Sequence, residues 1–361
     1  MKQAELVIIG GGPAGLCAAI SAAKSGAKVL IIDKNKNLGG QLIKQTHMFF
    51  GSEKQYASTR GIDIPEILLN ELYKYKENVK IKTEATVVGL FEDGIITVLE
   101  KEENYFKIAP KAVVVATGAY EKHLSFPNND LPGIYGAGAV QTLMNVYGVK
   151  PGNKVLMVGA GNIGLIVSYQ LMQAGVEVKA ILDAAPKIGG YLVHASKIRR
   201  MGVPILTSHT VKEAIGNNFL EKAVICEVDE KFNPKDGTEK TFDVDVMCIS
   251  VGLTPLNELL AMRGCRMEYI PQLSGIVPVR NENYETSVEY VFAAGDATGV
   301  EEASAAMVEG FLAGLCAAAK IGYRTDDYLD RKNDYISQLK NLRSGPAGNH
   351  ILTGIQQIIR G

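Results

Sequence analysis

The chain has little cysteine, and none of it is paired in sequence. Five cysteines, Cys17, Cys226, Cys248, Cys265 and Cys316, are scattered without a single C-x-x-C. That spacing argues against a disulfide framework, a zinc site, an iron–sulfur cluster or a thioredoxin-type redox pair carried by this chain. Small buried hydrophobes in a reducing compartment are the expected role for such residues. Charge of one sign is also missing. The formal net charge is −1, and no basic run tracks a phosphate backbone, so nucleic acid is not expected as a partner. His47, His123, His194, His209 and His350 stand alone in sequence, and no catalytic triad or metal cluster assembles around them. Met1 to Glu5 leads straight into an apolar strand, so no signal peptide is expected and the expected location is cytoplasmic. The apolar stretch from Ala303 to Ile321 is interrupted by Glu309, Gly310 and Gly314, which reads as a buried helix and not a membrane span.

What the chain has in quantity is glycine, 38 residues in 361, placed at the ends of apolar runs. Val7 to Asp33 reads VIIGGGPAGLCAAISAAKSGAKVLIID: a strand, a glycine turn, a small-residue helix, a second strand and an acid. Gly10, Gly12 and Gly15 keep the G-x-G-x-x-G spacing. The first permits a tight turn, the second lets a pyrophosphate approach the backbone, and the third lets a helix starting near Pro13 and Ala14 pack on the strand. The phosphate then meets the positive end of that helix. Asp33 stands where a carboxylate accepts hydrogen bonds from a ribose.

The pattern occurs twice. Val155 to Val158 is a second apolar run. Gly159, Gly161 and Gly164 repeat the spacing, and a strand ends at Asp183. Asp33 is followed six residues later by Gly39-Gly40, and Asp183 six residues later by Gly189-Gly190. Val113 to Gly118 (VVVATG) in the first copy answers to Val246 to Gly252 (VMCISVG) in the second. Doubled order at matched spacing predicts two dinucleotide-binding domains. Asp183 is followed by Ala184, Ala185 and Pro186, with no adjacent arginine for a 2′-phosphate, so NAD(H) is favoured over NADP there despite Lys187.

Between and beyond these motifs the chain predicts a long loop over His47–Arg60, in which Met48, Phe49 and Phe50 fill a core gap or cover a flat ring system. A helix follows Pro65. Short antiparallel strands come next, with a hairpin at Asp93-Gly94. Late in the sequence YVFAAGDATG places Gly295-Asp296 before a helix, where an aspartate caps the helix or meets a ligand. Glu301 and Glu302 are expected in that helix's first turn, where they complement its dipole. The tail from Arg324 predicts a helix through Tyr328, Leu329, Ile336, Leu339 and Leu342 that packs back or docks a partner.

The order GGGPAG, ATG, GAGNIG, GD resembles the flavoproteins with two dinucleotide-binding domains, which include thioredoxin and ferredoxin reductases. The resemblance implies an α/β fold of two Rossmann-like three-layer domains with small antiparallel layers. The division expected is residues 1–120 and 254–325 for FAD, 121–253 for the nicotinamide nucleotide, and 326–361 as a helical tail. By position it implies FAD contacts at Gly10, Gly12, Pro13, Ala14, Gly15, Asp33, Lys34, Gly40, Gln41, Thr117, Gly118, Gly295 and Asp296. It implies NAD contacts at Gly159, Gly161, Asn162, Gly164, Asp183 and Gly252. Catalytic and metal residues are expected to be none, because hydride transfer between a nicotinamide and a flavin requires no protein acid or base.

Phe126 to Leu165 is similar, more narrowly, to the FAD/NAD subunits of heteromeric sarcosine oxidase, opine oxidase, hydrogen cyanide synthase and dye-linked proline dehydrogenase complexes. That resemblance implies a substrate-oxidising flavoprotein partner and, since this chain has no cysteine-rich module, an iron–sulfur protein as a separate partner. It leaves two alternatives open: a non-catalytic subunit holding ADP or ATP in the second site, or a component of a glycerol-3-phosphate-type dehydrogenase.

Overall fold

A computed structural model describes residues 1–359, so residues 360 and 361 of the expected tail lie outside the described residues. The chain divides into two compact units, one built from residues 1–120 and 253 onward, the other from residues 121–252. Among the described residues the α-helices are, in chain order, α1 (Pro13–Lys24), α2 (Ile64–Tyr73), α3 (Ala137–Asn145), α4 (Asn162–Gln173), α5 (Leu192–Arg200), α6 (Glu258–Met262), α7 (Ala303–Lys320), α8 (Tyr328–Leu342) and α9 (Pro346–Ile358).

In the first unit the strands Val79–Lys82, Val29–Ile32, Lys2–Ile9 and Asn104–Val115 lie side by side in that order, all parallel. Val29–Ile32 and the ends of Lys2–Ile9 and Asn104–Val115 are continuous apolar runs, as strands buried on both faces must be, while the edge strand Val79–Lys82 alternates apolar and lysine. The strand Asn104–Val115 is one 12-residue element where the sequence pattern suggests two. Its first half pairs antiparallel with Ile96–Glu100, and its end pairs parallel with Val291–Ala293. The interrupting Ala109-Pro110-Lys111 does not break it, because the long first strand runs alongside and holds it through the proline.

Helix α1 lies against α7, and small residues set their spacing. A Cβ added to Gly310 would meet the carbonyl oxygen of Ala14 at 2.1 Å, and one added to Gly314 would meet that of Ala18 at 2.1 Å. By length and composition α7 could cross a membrane, but 72% of it is buried inside the protein. The tail folds back on this unit. Phe311 of α7 stacks on Tyr335 of α8 with ring centroids 5.4 Å apart. Arg331 of α8 donates to Ser21 O of α1 at 3.0 Å and to Oγ of its C-cap, Ser25, at 3.1 Å. Helix α9 buries Ile355 and Ile358 against Ile270, Leu273 and Val277.

The stretch His47–Arg60 is more ordered than a plain loop: Met48 bridges Arg60, and a short 3-10 turn spans Glu53–Gln55. Phe49 is in the core while Met48 and Phe50 are exposed, so only one of the three fills a gap.

The second unit has a five-stranded parallel sheet in the order Ile205–Thr207, Glu177–Asp183, Lys154–Val158, Val246–Ile249, Ile134–Gly136. An antiparallel layer of His209–Ile215, Lys222–Glu227 and Lys240–Asp243 accompanies it.

Because the α1–α7 contact leaves no room for a methyl group, Gly314→Ala should destabilise the first unit by about 1–3 kcal/mol, read as a lower urea midpoint at unchanged slope.

Candidate functional site

In each unit the glycine turn follows the same physics. Gly10 has φ +104° and a Cβ there would sit 2.3 Å from Ala116 O; a Cβ on Gly15 would sit 1.8 Å from Gly10 O. These two glycines are demanded by the chain's own packing. Gly12 is different. Its φ of −75° suits any residue, and the nearest atom to an added Cβ is Gly40 Cα at 3.7 Å. Nothing inside the fold calls for glycine here, which leaves the space over it for something else. Gly12 is also the N-cap of α1, with no side-chain cap and no acid in the first turn. The helix therefore presents its positive end unclaimed by its own side chains.

The second unit repeats this. Gly159 (φ +116°) and Gly164 would clash with Ser250 O and Gly159 O, both at 2.0 Å, while an added Cβ on Gly161 has nothing within 4 Å. Gly161 caps α4, again without a side-chain cap or a first-turn acid.

The two strand-end acids have a role the motif alone does not disclose. Asp33 accepts from Gly11 N at 2.6 Å and from Asn35 N at 2.7 Å. Asp183 accepts from Ala160 N at 2.9 Å and from Ala185 N at 2.9 Å. Each carboxylate clamps the middle of its glycine turn and its own connection, and each oxygen keeps a second lone pair for a sugar hydroxyl. The double-glycine loops close over the turns as well, Gly39 N donating to Gly11 O (2.7 Å) and Gly190 N to Ala160 O (2.9 Å). Asn162 adds a bond found only in the second unit, accepting from Tyr191 N at 2.8 Å.

In the first unit the parallel strands end on one edge, and that edge gathers Gly10, Gly12, Gly15, Asp33, Gly40, Thr117 and Gly295. Thr117 Oγ1 donates to Leu256 O, and Gly118, with φ +80°, has open space beside it. A Cβ on Gly295 would lie 2.8 Å from the Ala14 side chain, so the late turn seats against the start of α1. Lys34 and Gln41 are exposed at the rim. In the second unit Gly159, Gly161, Asn162, Gly164 and Asp183 gather around the start of α4. Gly252 (φ +112°) instead neighbours the stem of Lys122.

Asp296 is the electrostatic exception. Burial pushes its carboxyl up to about 7, the Glu301 N–H opposes this with a 3.3 Å bond, and Glu309, Glu301 and Glu302 push further upward. Sequence reasoning missed what surrounds it. Glu309 on apolar α7 accepts from Gly295 N (2.9 Å) and Tyr284 Oη (2.9 Å), and is paired with Arg343 from the end of α8. A lone acid in a helix otherwise apolar is the signal that could have pointed there, since a buried charge requires partners. Glu301 and Glu302 are not in the first turn of α7: Glu302 is its N-cap and Glu301 precedes it, turned toward Arg343. The five cysteines are buried, and desolvation raises the Cys17 thiol well above its ordinary range, which disfavours thiolate chemistry. Among the described residues no three His, Cys, Asp or Glu side chains are placed to hold a metal ion.

The family model for pyridine nucleotide-disulphide oxidoreductases matches residues 4–310. The chain belongs to that family. It is an FAD-dependent oxidoreductase of the two-dinucleotide type, and the family implies FAD together with a nicotinamide dinucleotide. Among curated relatives, the alpha chain of sarcosine oxidase from Corynebacterium sp. (strain P-1) is 25% identical over 95% of this chain and 34% of its own length. An opine oxidase subunit from Agrobacterium tumefaciens (strain Ach5) is 27% identical over 88% of this chain and 66% of its own. This chain thus spans about a third to two thirds of these relatives. Of solved structures, T. acidophilum thioredoxin reductase superposes with a TM-score of 0.71 at 23% identity, covering 88% of this chain and 99% of that one. L-proline dehydrogenase from P. horikoshii gives 0.68 at 24%, covering 92% and 59%. These likenesses show the same fold.

The raised Asp296 carboxyl has a stability consequence. The folded chain holds this proton up to about pH 7, whereas an unfolded aspartate loses it near 3.8, so ionisation destabilises the cofactor-free fold progressively across that window and fully above it. Asp296→Asn removes the penalty. At pH 8 the FAD-free variant should be more stable than the FAD-free parent by about 1–2 kcal/mol, partial solvent exposure keeping the gain small, with no difference at pH 4. Urea unfolding at the two pH values checks this.

Proposed function

We propose that this chain is one component of an amino-acid or imino-acid dehydrogenase complex, binding FAD in its first unit and NAD(H) in its second, and relaying electrons to or from a flavoprotein partner. The observation that carries the reading is the pair of open glycines, Gly12 and Gly161. Each sits at an uncapped helix start where the fold itself has no use for glycine. A pyrophosphate lying against the backbone is the ligand that does use it.

In this reading the residues of the first unit divide the work. Gly12, Pro13 and Ala14 offer the α1 terminus to the FAD pyrophosphate, with Gly10 and Gly15 shaping the turn. Asp33 takes the adenosine ribose with its remaining lone pairs. Gly40 and Gln41 line the loop over the cofactor, Lys34 stands at the adenine rim, Thr117 and Gly118 form the strand-end floor, and Gly295 and Asp296 receive the ribityl chain. Bound FAD would supply the hydride chemistry. The protein's part is to orient the nucleotides and exclude water. In the second unit Gly161, Asn162 and the α4 terminus hold phosphates, Gly159 and Gly164 set the turn, Asp183 takes the ribose, and Gly252 borders the far end. The run Ala184-Ala185-Pro186 after Asp183 offers no guanidinium for a 2′-phosphate, which supports NAD over NADP, while the exposed Lys187 is the one nearby cation in sequence that argues the other way.

The partner reading draws on the relatives, which are named as subunits of sarcosine and opine oxidases, and on the proline dehydrogenase fold. A second reading has one observation in its favour. The glycine turn, the α4 terminus and Asp183 would all engage the adenosine and phosphate half of a nucleotide, so ADP or ATP would satisfy them equally. Mass spectrometry of nucleotides released on denaturation separates the two.

Gly12→Ala and Gly161→Ala fit the fold without strain, so each should leave the thermal midpoint of the cofactor-free protein unchanged. Gly12→Ala should weaken FAD binding, and Gly161→Ala NADH binding, by roughly tenfold or more. Anaerobic NADH should bleach the flavin of the parent protein and require correspondingly more NADH in Gly161→Ala. Absence of bleaching at saturating NADH in the parent would remove the nicotinamide half of the proposal.

A further inference from the structure

The cofactor reading gives the C-terminal helices no role, yet one residue at the end of α8 reaches into the late glycine-aspartate turn. Arg343 is the C-cap of α8 and its side chain is 5% exposed. Its Nε donates to both oxygens of Glu301, at 2.9 and 3.1 Å, and its Nη2 to Glu301 Oε2 at 2.6 Å and to Glu309 Oε1. Each of these acids grips the turn that contains Asp296. Glu309 Oε2 accepts from Gly295 N at 2.9 Å and from Thr298 Oγ1 at 3.3 Å. The backbone N–H of Glu301 donates to Asp296 Oδ1. One guanidinium therefore neutralises the carboxylates of the two residues that fix the two ends of the turn.

We propose that Arg343 is a positioning residue for Asp296, so that the C-terminal tail of this chain is a working part of its FAD site. The proposal rests on the reading that FAD occupies the first unit.

The balance of charge supports it. Asp296 is faced by Glu301 before α7, Glu302 at its N-cap and Glu309 within it. Among the described residues the guanidiniums that pair with these acids are those of Arg343 and Arg280. Arg280 stands 3.8 Å from Glu309 and stacks on Tyr284, a weaker engagement than that of Arg343. Without Arg343, two buried carboxylates would border the place where a cofactor carrying a pyrophosphate must settle. Like charges brought together in a desolvated site oppose binding strongly. A buried ion network adds little net stability over apolar packing, so stability alone gives a weak account of its placement around this turn.

The test is titration of FAD-stripped full-length protein with FAD across pH 6 to 9, followed by flavin fluorescence. In the parent, affinity should rise with pH as Asp296 ionises to accept a ribityl hydroxyl, and level off above about pH 7. Arg343→Met should bind FAD about tenfold or more weakly and reach its plateau at higher pH, because Asp296 then faces carboxylates met only by the more distant Arg280. Adding Glu301→Gln to Arg343→Met should recover part of the affinity, which mere loss of packing would not allow. Should Arg343→Met fail to fold, Arg343→Lys and Glu301→Gln carry the test: the lysine variant should bind with intermediate affinity, and Glu301→Gln should move the plateau to lower pH. Variants that bind FAD within twofold of the parent with the same pH profile would overturn the role of Arg343 while leaving the FAD reading intact. A parent protein that binds no FAD would overturn both.

Discussion

The contact on which the architecture depends is the approach of a helix to the turn that precedes it. In the first unit Gly15 leaves its Cβ position 1.8 Å from Gly10 O, and in the second Gly164 leaves its own 2.0 Å from Gly159 O. At that spacing any side chain is excluded. The strand, the turn and the helix N-terminus become one rigid object. The strand-end acids complete it: Asp33 and Asp183 each accept hydrogen bonds from the interior of their own turn, so the amides at the helix start are held in place before any ligand arrives. Preorganised donors need no reorganisation on binding, so a helix N-terminus held in this way suits an anion with few residues.

A second consequence is that close approach propagates. Helix α1 can sit tightly on its strand only if its other face is also narrow, and there Ala14 and Ala18 meet the glycines of α7. Helix α7 is accordingly rich in alanine and glycine and largely buried. Its one central acid, Glu309, is the exception that organises the polar interior. The glycine turn, the α1–α7 contact and the Glu309 network thus form one chain of packing that runs from the glycine-turn edge to the C-terminal helices.

The parts of the fold legible in the sequence were those governed by short-range rules. Strand-turn-helix order, the hairpin at Asp93-Gly94 and the doubled motif follow from apolar runs and glycine spacing, although the second sheet also takes in Ile134–Gly136, which no apolar run marked. Gly12 and Gly161 were legible as members of the motif too, though only the structure separates them, with open space at the Cβ position, from Gly10, Gly15, Gly159 and Gly164, which the fold itself requires. Long-range pairing was not legible. The sequence offered no way to join Tyr105–Ile108 to Val113–Val115 through a proline, because the strand that carries them through lies at the very start of the chain. Nor could the second helix of the tail, α9, be read past Ser344-Gly345-Pro346: a proline after a glycine signals the end of one helix and, at the first position, equally well the start of another.

The buried charges show the limit most clearly. Glu309 was visible as an anomaly in an apolar helix, and Arg343 as an ordinary basic residue near a helix end, where the helix dipole alone would explain it. Nothing in sequence joins these residues, which lie 34 positions apart on different elements. In space the pair stands behind Gly295, whose N–H donates to Glu309. A guanidinium with a planar fork can serve two carboxylates at once, which an ammonium at the end of a flexible stem does less well. The cluster is therefore specified by geometry as much as by charge, and the geometry is supplied by the packing of α8 on α7. Of the two guanidiniums that meet Glu309 among the described residues, one comes from beyond α7, Arg343, and the other, Arg280, is itself bridged to Ile359 of the tail. Arg343 thus ties the end of α8 to the Gly295-Asp296 turn, beside the contacts that Arg331 and Tyr335 make with α1 and α7.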